Sequence, residues 1–366
     1  MTNDWPPMTT IPCSVRIAGV AAILLVTSAS ARAQTSGLLA ILDPGKASAN
    51  TLSGRTAFSW HPLSNVTGQE EDFGYNRTDL QISLSLPVAE KTRISTGLNA
   101  STLQVDTRAS FPDSGLRFPP ALWRVHGNIG GSVPLGSGAL LGGFLGFGTS
   151  ADRPFFSNRE LTFSSLFFLR LPQGERDAWI LALFFGTSGA ELTSIPIPVL
   201  AYLWRPHKRF QALAGLPFLF LMANPVASLR IIFSYFPITN VNLRASARLG
   251  PFTFSAGWTV KSDAFRVVEE EDDRVFHYCS RVTAGVSVPL FFHRAGEDAE
   301  GGEHATEGGE GKAKKPARFA FAALTLQGGW DFLRFSFAGE GMQDWREDRF
   351  DIADGGFLSA GIRFAF

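Results

Sequence analysis

The chain has 366 residues, 33 basic against 33 acidic, no net charge at neutral pH, and 45% hydrophobic side chains. A neutral balance gives no global field to attract nucleic acid, which removes that class of partner. Of its two cysteines, Cys13 and Cys279, only Cys279 lies beyond the first 33 residues, so a processed chain has no intrachain disulfide and must be held by its sheet.

An apolar stretch runs from Ile17 to Val26, with Arg16 before it and Ser28-Ala-Ser-Ala-Arg-Ala33 after it. A basic residue, an apolar core and a small-residue site of the Ala-x-Ala kind form an export signal, here with cleavage before Gln34. The run is shorter than the roughly 20 apolar residues that a transmembrane helix needs. Cys13 precedes the apolar core and is not placed to become a lipidated N-terminal cysteine. The chain therefore divides into a cleaved signal peptide at 1–33 and a mature part at 34–366.

In the mature part, apolar and polar residues alternate between Gly, Pro, Asn and Asp punctuation, which is the period of strands. Leu80, Ile82, Leu84 and Leu86 alternate with Asp79, Gln81, Ser83 and Ser85 before Pro87. Between Leu161 and Ala223 both faces are apolar, as in Trp179 to Phe185 and Leu216 to Met222. That predicts an apolar stretch of interior, where side chains fill the lumen or seat the N-terminal segment as a plug; the alternative is a passage for hydrophobic molecules. Leu229, Ile231, Phe233 and Tyr235 then oppose Arg230 and Ser234. After a Pro237–Asn240 turn, Val241, Leu243, Ala245, Ala247 and Leu249 oppose Asn242, Arg244, Ser246 and Arg248. Gly250-Pro251 turns the chain into Phe252, Phe254, Ala256, Trp258 and Val260, opposed by Thr253, Ser255, Thr259 and Lys261. These three strands form an antiparallel meander. Further on, Val282, Ala284, Val286 and Val288 face away from Arg281, Thr283 and Ser287.

Roughly 330 mature residues, at about 20 to 25 per strand with its connection, predict an even-numbered barrel of about 12 to 16 strands. A secreted soluble β-protein would also alternate. The two ends of the chain decide against it: an export signal opens the sequence, and the closing strand places Leu358, Ala360, Ile362, Phe364 and Phe366 on one apolar face. In water that face is an aggregation hazard, whereas in a bilayer it faces lipid. Trp60, Trp123, Trp204 and Trp258 sit near the ends of apolar faces, where an interfacial girdle would hold them. The expected fold is all-β: a transmembrane antiparallel up-and-down β-barrel in the outer membrane, with the lipid bilayer as its surroundings.

The stretch Phe73 to Pro87, the meander, and the ending from Gln327-Gly-Gly-Trp330 to Phe366 resemble an uncharacterised family of Gram-negative outer-membrane β-barrel proteins. The alternating C-terminal strand that stops on Phe is similar to their assembly signature. The resemblance implies that Ile362, Phe364 and Phe366 form the signal read by the barrel-assembly machinery. It carries no catalytic motif and transfers no functional residues.

Catalytic motifs are missing from the sequence itself: it has no Gly-x-Ser-x-Gly, no His-Glu-x-x-His and no Cys-x-x-Cys, and it gives no sign of a cofactor. Gly142 to Gly148 lacks the Lys-Ser/Thr pair and following helix of a phosphate loop, so its glycines are strand glycines. His304, among Glu300, Glu303 and Glu307, lies in the charged low-complexity loop 294–318, which lacks the rigid frame of a metal site. The expected protein is not an enzyme.

Two functions remain: a passive, porin-like conduit for small solutes, or a closed structural or interaction barrel without transport. Face parity puts Arg230, Arg244, Arg248, Lys261, Arg281 and Arg363 on inward faces, with Asp79 among few inward acids. Cations without partners in a dry core are costly, so this bias favours a wet lumen and anionic solutes. The competing explanation is pairing with inward acids through a one-residue register difference. Topology depends on Phe319 to Phe335. A single strand through Gly328-Gly329 puts loop 294–318 in the periplasm, with the acidic tip at 269–273 and the segment Met342 to Gly355 outside. A turn at the glycines would exchange the loop and the tip.

Overall fold

The computed structural model describes residues 51–89, 92–187, 196–216, 218–236, 240–267, 274–295, 318–340 and 344–366. The signal segment, the N-terminal plug, the acidic tip and nearly all of loop 294–318 lie outside the described residues.

Seventeen strands form one sheet. The first nine are β1 (Thr51–Asn65), β2 (Asp72–Pro87), β3 (Arg93–Thr107), β4 (Ala121–Pro134), β5 (Leu140–Ala151), β6 (Leu161–Gln173), β7 (Asp177–Gly186), β8 (Ile197–His207) and β9 (Phe210–Leu216). The rest are β10 (Leu219–Val226), β11 (Leu229–Phe236), β12 (Asn240–Leu249), β13 (Phe252–Arg266), β14 (Arg274–Ala295), β15 (Arg318–Gly339), β16 (Arg349–Ile352) and β17 (Gly355–Ala365). From β1 to β15 each strand pairs antiparallel with the next. Strands β16 and β17 both pair with β15 and share one place in the wall, and β17 also pairs with β1. The result is a closed antiparallel barrel with 16 places around its wall. Closure leaves no unpaired edge, which satisfies the backbone of every wall strand without a partner molecule.

The seam is held at its last residues, where Leu52 N–H donates to Phe366 O (3.0 Å) and Phe366 N–H donates to Leu52 O (2.8 Å). The end of the barrel that holds this seam is the lower end below. The ends of β14 and β15 joined by residues 296–317 also lie there, because β15 is one strand that passes through Gly328-Gly329.

Register assigns the faces. Thr56, Phe58 and Trp60 of β1 stand opposite Ile362, Ala360 and Leu358 of β17 and opposite Leu80, Thr78 and Asn76 of β2. Directly paired residues share a face, and this row continues through Leu98, Ile129, Leu145, Phe167, Leu183, Leu200, Leu243, Trp258, Val282 and Leu326. Most of these large side chains are exposed, and together they make an apolar belt on the outer wall. A belt of this extent exceeds the few hundred Å², about 300–600, that a water-soluble monomer exposes in one patch.

The strands differ from their sequence outline in three places. β13 continues to Arg266 rather than stopping near Lys261, so Trp258 lies mid-strand rather than at an interfacial end. β15 continues past Leu333, which has a φ of 51° at a bulge where Leu333 and Arg334 together face Cys279. The bulge moves the inward position from Asp331 to Arg334 and Ser336, which explains why alternation fades there. Within the expected outer segment Met342 to Gly355, Arg349–Ile352 is strand β16, because the prolonged β15 offers it an edge.

Candidate functional site

The inner wall carries the buried ion pairs that the described residues place together. The row opposite to the apolar belt includes Ser53, Arg55, Ser59 and His61 of β1, and Tyr75, Arg77, Asp79, Gln81 and Ser83 of β2. By the same register, Arg230 of β11, Arg244 and Arg248 of β12, Lys261 of β13, Arg281 of β14 and Arg363 of β17 are on inner faces. Their surroundings separate them into two groups.

Arg281 belongs to a buried network in the upper half. Its Nε donates to Asp331 Oδ1 (2.6 Å) and its Nη2 donates to Asp331 Oδ2 (2.8 Å) and to the Tyr75 hydroxyl (3.1 Å). His61 Nδ1 is 3.0 Å from Asp331 Oδ2, and its ring stacks on Tyr75 with centroids 3.9 Å apart. The Arg281 guanidinium also lies 4.3 Å over the Phe357 ring. Asp331 is fully buried and Arg281 nearly so. Here an inward arginine does have a partner acid, without any slip of register: Asp331 sits directly opposite, and the pair is part of the packed wall.

Arg230, Arg244, Arg248 and Arg363 differ. They are exposed, and Arg248, Arg230 and Arg363 lie close to the lower end, where Arg55 stands directly opposite Arg363. Arg230 leans on the Met222 sulfur (2.7 Å) and Arg363 lies 5.4 Å from the Phe321 ring centre, so each rests on soft, uncharged groups. The charges of Arg244 and Arg363 act on each other. Among the described strand residues the inner wall has carboxylates only at Asp79, Asp263 and Asp331, all in the middle or upper part. Asp79 is half-buried and accepts from Arg77 Nε (3.1 Å), and Lys261 is half-buried on the same stretch of β13 as Asp263.

A second ion cluster was not foreseen from the sequence. Asp263 of β13 accepts from Arg77 Nη1 of β2 (2.6 Å) and from Arg124 Nη1 of β4 (2.7 Å). All three side chains are almost entirely buried. Above this cluster the connection 108–120 folds into the barrel mouth. Phe111 and Phe118 are buried against the inward side chains Phe73, Leu103, Leu122 and Phe350. The Asp113 and Ser114 N–H groups donate to Asp348 Oδ1 (2.7 and 3.3 Å), which ties this connection to the one before β16.

The doubly apolar region resolves into a third feature. Leu140, Phe168, Ile180, Leu203, Leu213 and Phe220 of β5 to β10 bury one another on the inner wall. Among the described residues this stretch packs against itself on the wall, and the N-terminal segment that a plug would need lies outside them. The strands are short there, with 10, 11, 7 and 8 residues in β7 to β10.

No catalytic relay is assembled among the described residues. A Ser-His-Asp relay needs one imidazole between a hydroxyl and a carboxylate. The carboxylate Asp331 is on His61, whereas the hydroxyl Ser336 is on His277 (3.0 Å). No group of His, Cys, Asp and Glu able to hold a metal occurs among the described residues. His304 lies outside them.

No protein-family model matches the chain, and no curated protein does. Similar solved structures include an outer membrane channel from Pseudomonas putida F1, 8% identical, covering 88% of this chain and 98% of that one with a TM-score of 0.36. A deletion mutant of the monoaromatic hydrocarbon channel TodX is 10% identical over 89% of this chain and 93% of its own, with a TM-score of 0.39. OccK7 (OpdD) of Pseudomonas aeruginosa is 10% identical over 87% and 99%, with a TM-score of 0.36. No residue role is transferred from any of them.

Proposed function

We propose that the chain is an outer-membrane β-barrel, exported by a cleaved 1–33 signal, that passively conducts small solutes and favours anions. The membrane part of this reading is supported by the outer wall, whose exposed leucines, phenylalanines and tryptophans circle a closed sheet. Ile362 and Phe366 are exposed on that wall at the seam, where the barrel-assembly machinery would read the last strand.

The observation that carries the solute preference is the charge of the lower lumen. Arg230, Arg248 and Arg363 face inward there, with Arg244 above them and without a carboxylate among the described strand residues at that level. Fixed charge in a low-dielectric wall concentrates counter-ions, so such a lumen enriches anions over cations. The test is the reversal potential of the purified, folded protein in planar bilayers under a salt gradient. A potential on the anion side is expected, and a cation-selective current would overturn the preference.

A second reading is a closed barrel with a structural or interaction role. The observation in its favour is the packed upper half, where connection 108–120 and the buried ion clusters occupy the interior. The absence of any current from correctly folded protein would favour it. Neither reading asks for catalysis or a cofactor.

A further inference from the structure

The two walls of this barrel that stand farthest apart in the sheet are joined inside it. β5 and β13 are separated by equal arcs of wall in both directions, yet Ala151 and Arg266 form a parallel bridge, and Asp152 N–H donates to Arg266 O (3.1 Å). Just below, the Ser150 hydroxyl donates to Ala264 O (2.8 Å) and Arg124 Nη2 donates to the same carbonyl (3.4 Å). Asp263 completes the junction by receiving Arg124 from β4 and Arg77 from β2. The upper lumen is thereby split into two lobes, one bounded by β14 through β4 and the other by β6 through β12. The first lobe is filled by the Phe111 and Phe118 connection and the Arg281–Asp331 network.

We infer that the Asp263 junction is a gate: it holds β13 against β4 and β5 and narrows the solute path, and separating these walls opens it. The inference rests on the conducting reading above. A junction between distant walls is not needed for barrel closure, because each strand already has two lateral partners. Its described polar contacts are one backbone bridge, hydrogen bonds to the Ala264 carbonyl, and the Asp263 carboxylate between two guanidinium groups, of which Arg77 also pairs with Asp79. Neutralising the carboxylate removes the charge that draws Arg77 of β2 and Arg124 of β4 to β13, while Asp79 stays on Arg77, and the junction loosens. The walls then part without loss of any ladder between neighbouring strands.

The experiment uses two variants of the full chain, folded and checked by heat-modifiable migration, in planar bilayers. Asp263→Asn keeps the volume and removes the charge. The pair Ala151→Cys/Arg266→Cys, in a Cys279→Ser background, places two thiols on bridge partners, a separation that a disulfide spans. The expected result is a several-fold higher conductance for Asp263→Asn than for the wild type. The oxidised cysteine pair should conduct less than the same protein after reduction. If the wild type conducts and both variants match it whatever their redox state, the gate is overturned and the channel reading stands. If the wild type, Asp263→Asn and the reduced pair are all silent, both fail together. Should Asp263→Asn not assemble, the cysteine pair alone decides, through the ratio of reduced to oxidised conductance.

Discussion

Arg281 and Asp331 face each other directly across β14 and β15, and the guanidinium grips both carboxylate oxygens, at 2.6 and 2.8 Å. The geometry is bidentate, and Tyr75 and His61 occupy further polar sites of the pair. Removing one partner of such a buried pair strands the other charge, which typically costs about 3–5 kcal/mol. Asp331→Ala should therefore lower the unfolding free energy of the folded barrel, read from urea titration in detergent, by an amount of that order, with a lower midpoint. The double change Arg281→Met/Asp331→Leu should recover most of the loss, because it leaves no buried charge. Equal midpoints for Asp331→Ala and the wild type would show that the pair does not hold the wall.

The last strand should be required for closure. Phe366 exchanges two backbone hydrogen bonds with Leu52, and Phe364 lies over Gly54, where an added β-carbon would come within 2.5 Å of its ring. Deleting Phe366 removes the final rung, and Phe364→Asp with Phe366→Asp puts charge on the apolar outer wall, where each carboxylate is costly at membrane depth. Both variants should accumulate as unfolded, protease-sensitive periplasmic protein. Gly54→Val should weaken the seam through steric conflict with Phe364, read as a lower temperature for the heat-modifiable shift. Normal insertion of the doubly charged variant would count against a lipid-facing strand.

What alternation could and could not convey is visible in these same residues. The faces of Leu80 to Leu86, the Leu229 to Val260 meander and the closing strand follow from period 2 alone, as does the passage of β15 through its glycines. Alternation assigns a face, but it does not say which wall meets which. Asp263 lay past the outlined end of its strand, Arg77 and Arg124 were separated from it by more than a hundred residues, and no local pattern encodes the bridge between β5 and β13. The Arg281 partner was nearer to hand. Alternation through Trp330 and Phe332 puts Asp331 on the inward face, and only the β14–β15 register was needed to set the two opposite each other. The bulge at Leu333 hid the upper continuation of β15, because one extra residue reverses the parity of everything beyond it.

The lower arginines should set ion preference by number. Arg244→Gln and Arg363→Gln each remove a positive charge from a lumen level that holds no described carboxylate, and together they should move the reversal potential toward zero. Arg244→Glu with Arg363→Glu should carry it to the cation side, since the sign of the local field is reversed. High salt should shrink all these differences, because screening shortens to about 3 Å at 1 M. Unchanged selectivity in the double glutamate variant would remove the lower lumen from the conduction path.

Topology follows from the continuity of β15. That strand rises from the lower end at Arg318 to the upper end at Gly339 without a turn at Gly328-Gly329, so residues 296–317 connect strands at the same end as the Leu52–Phe366 seam. The acidic tip at 269–273 lies in the sequence between β13 and β14, whose facing ends are at the opposite end, which the 108–120 connection and the segment before β16 share. In single-chain outer-membrane barrels the short turns face the periplasm and the longer loops face outward, and apart from 296–317 the connections at the seam end, such as 174–176 and 250–251, are the short ones. An epitope tag at Gly308 should therefore be labelled only after the outer membrane is permeabilised, whereas one inserted beside Arg346 should be labelled on intact cells. The same preparation tests processing: mass spectrometry of the mature N-terminus should find it at Gln34. Labelling of the Gly308 tag on intact cells, with the Arg346 tag hidden, would place the seam outside and invert the barrel.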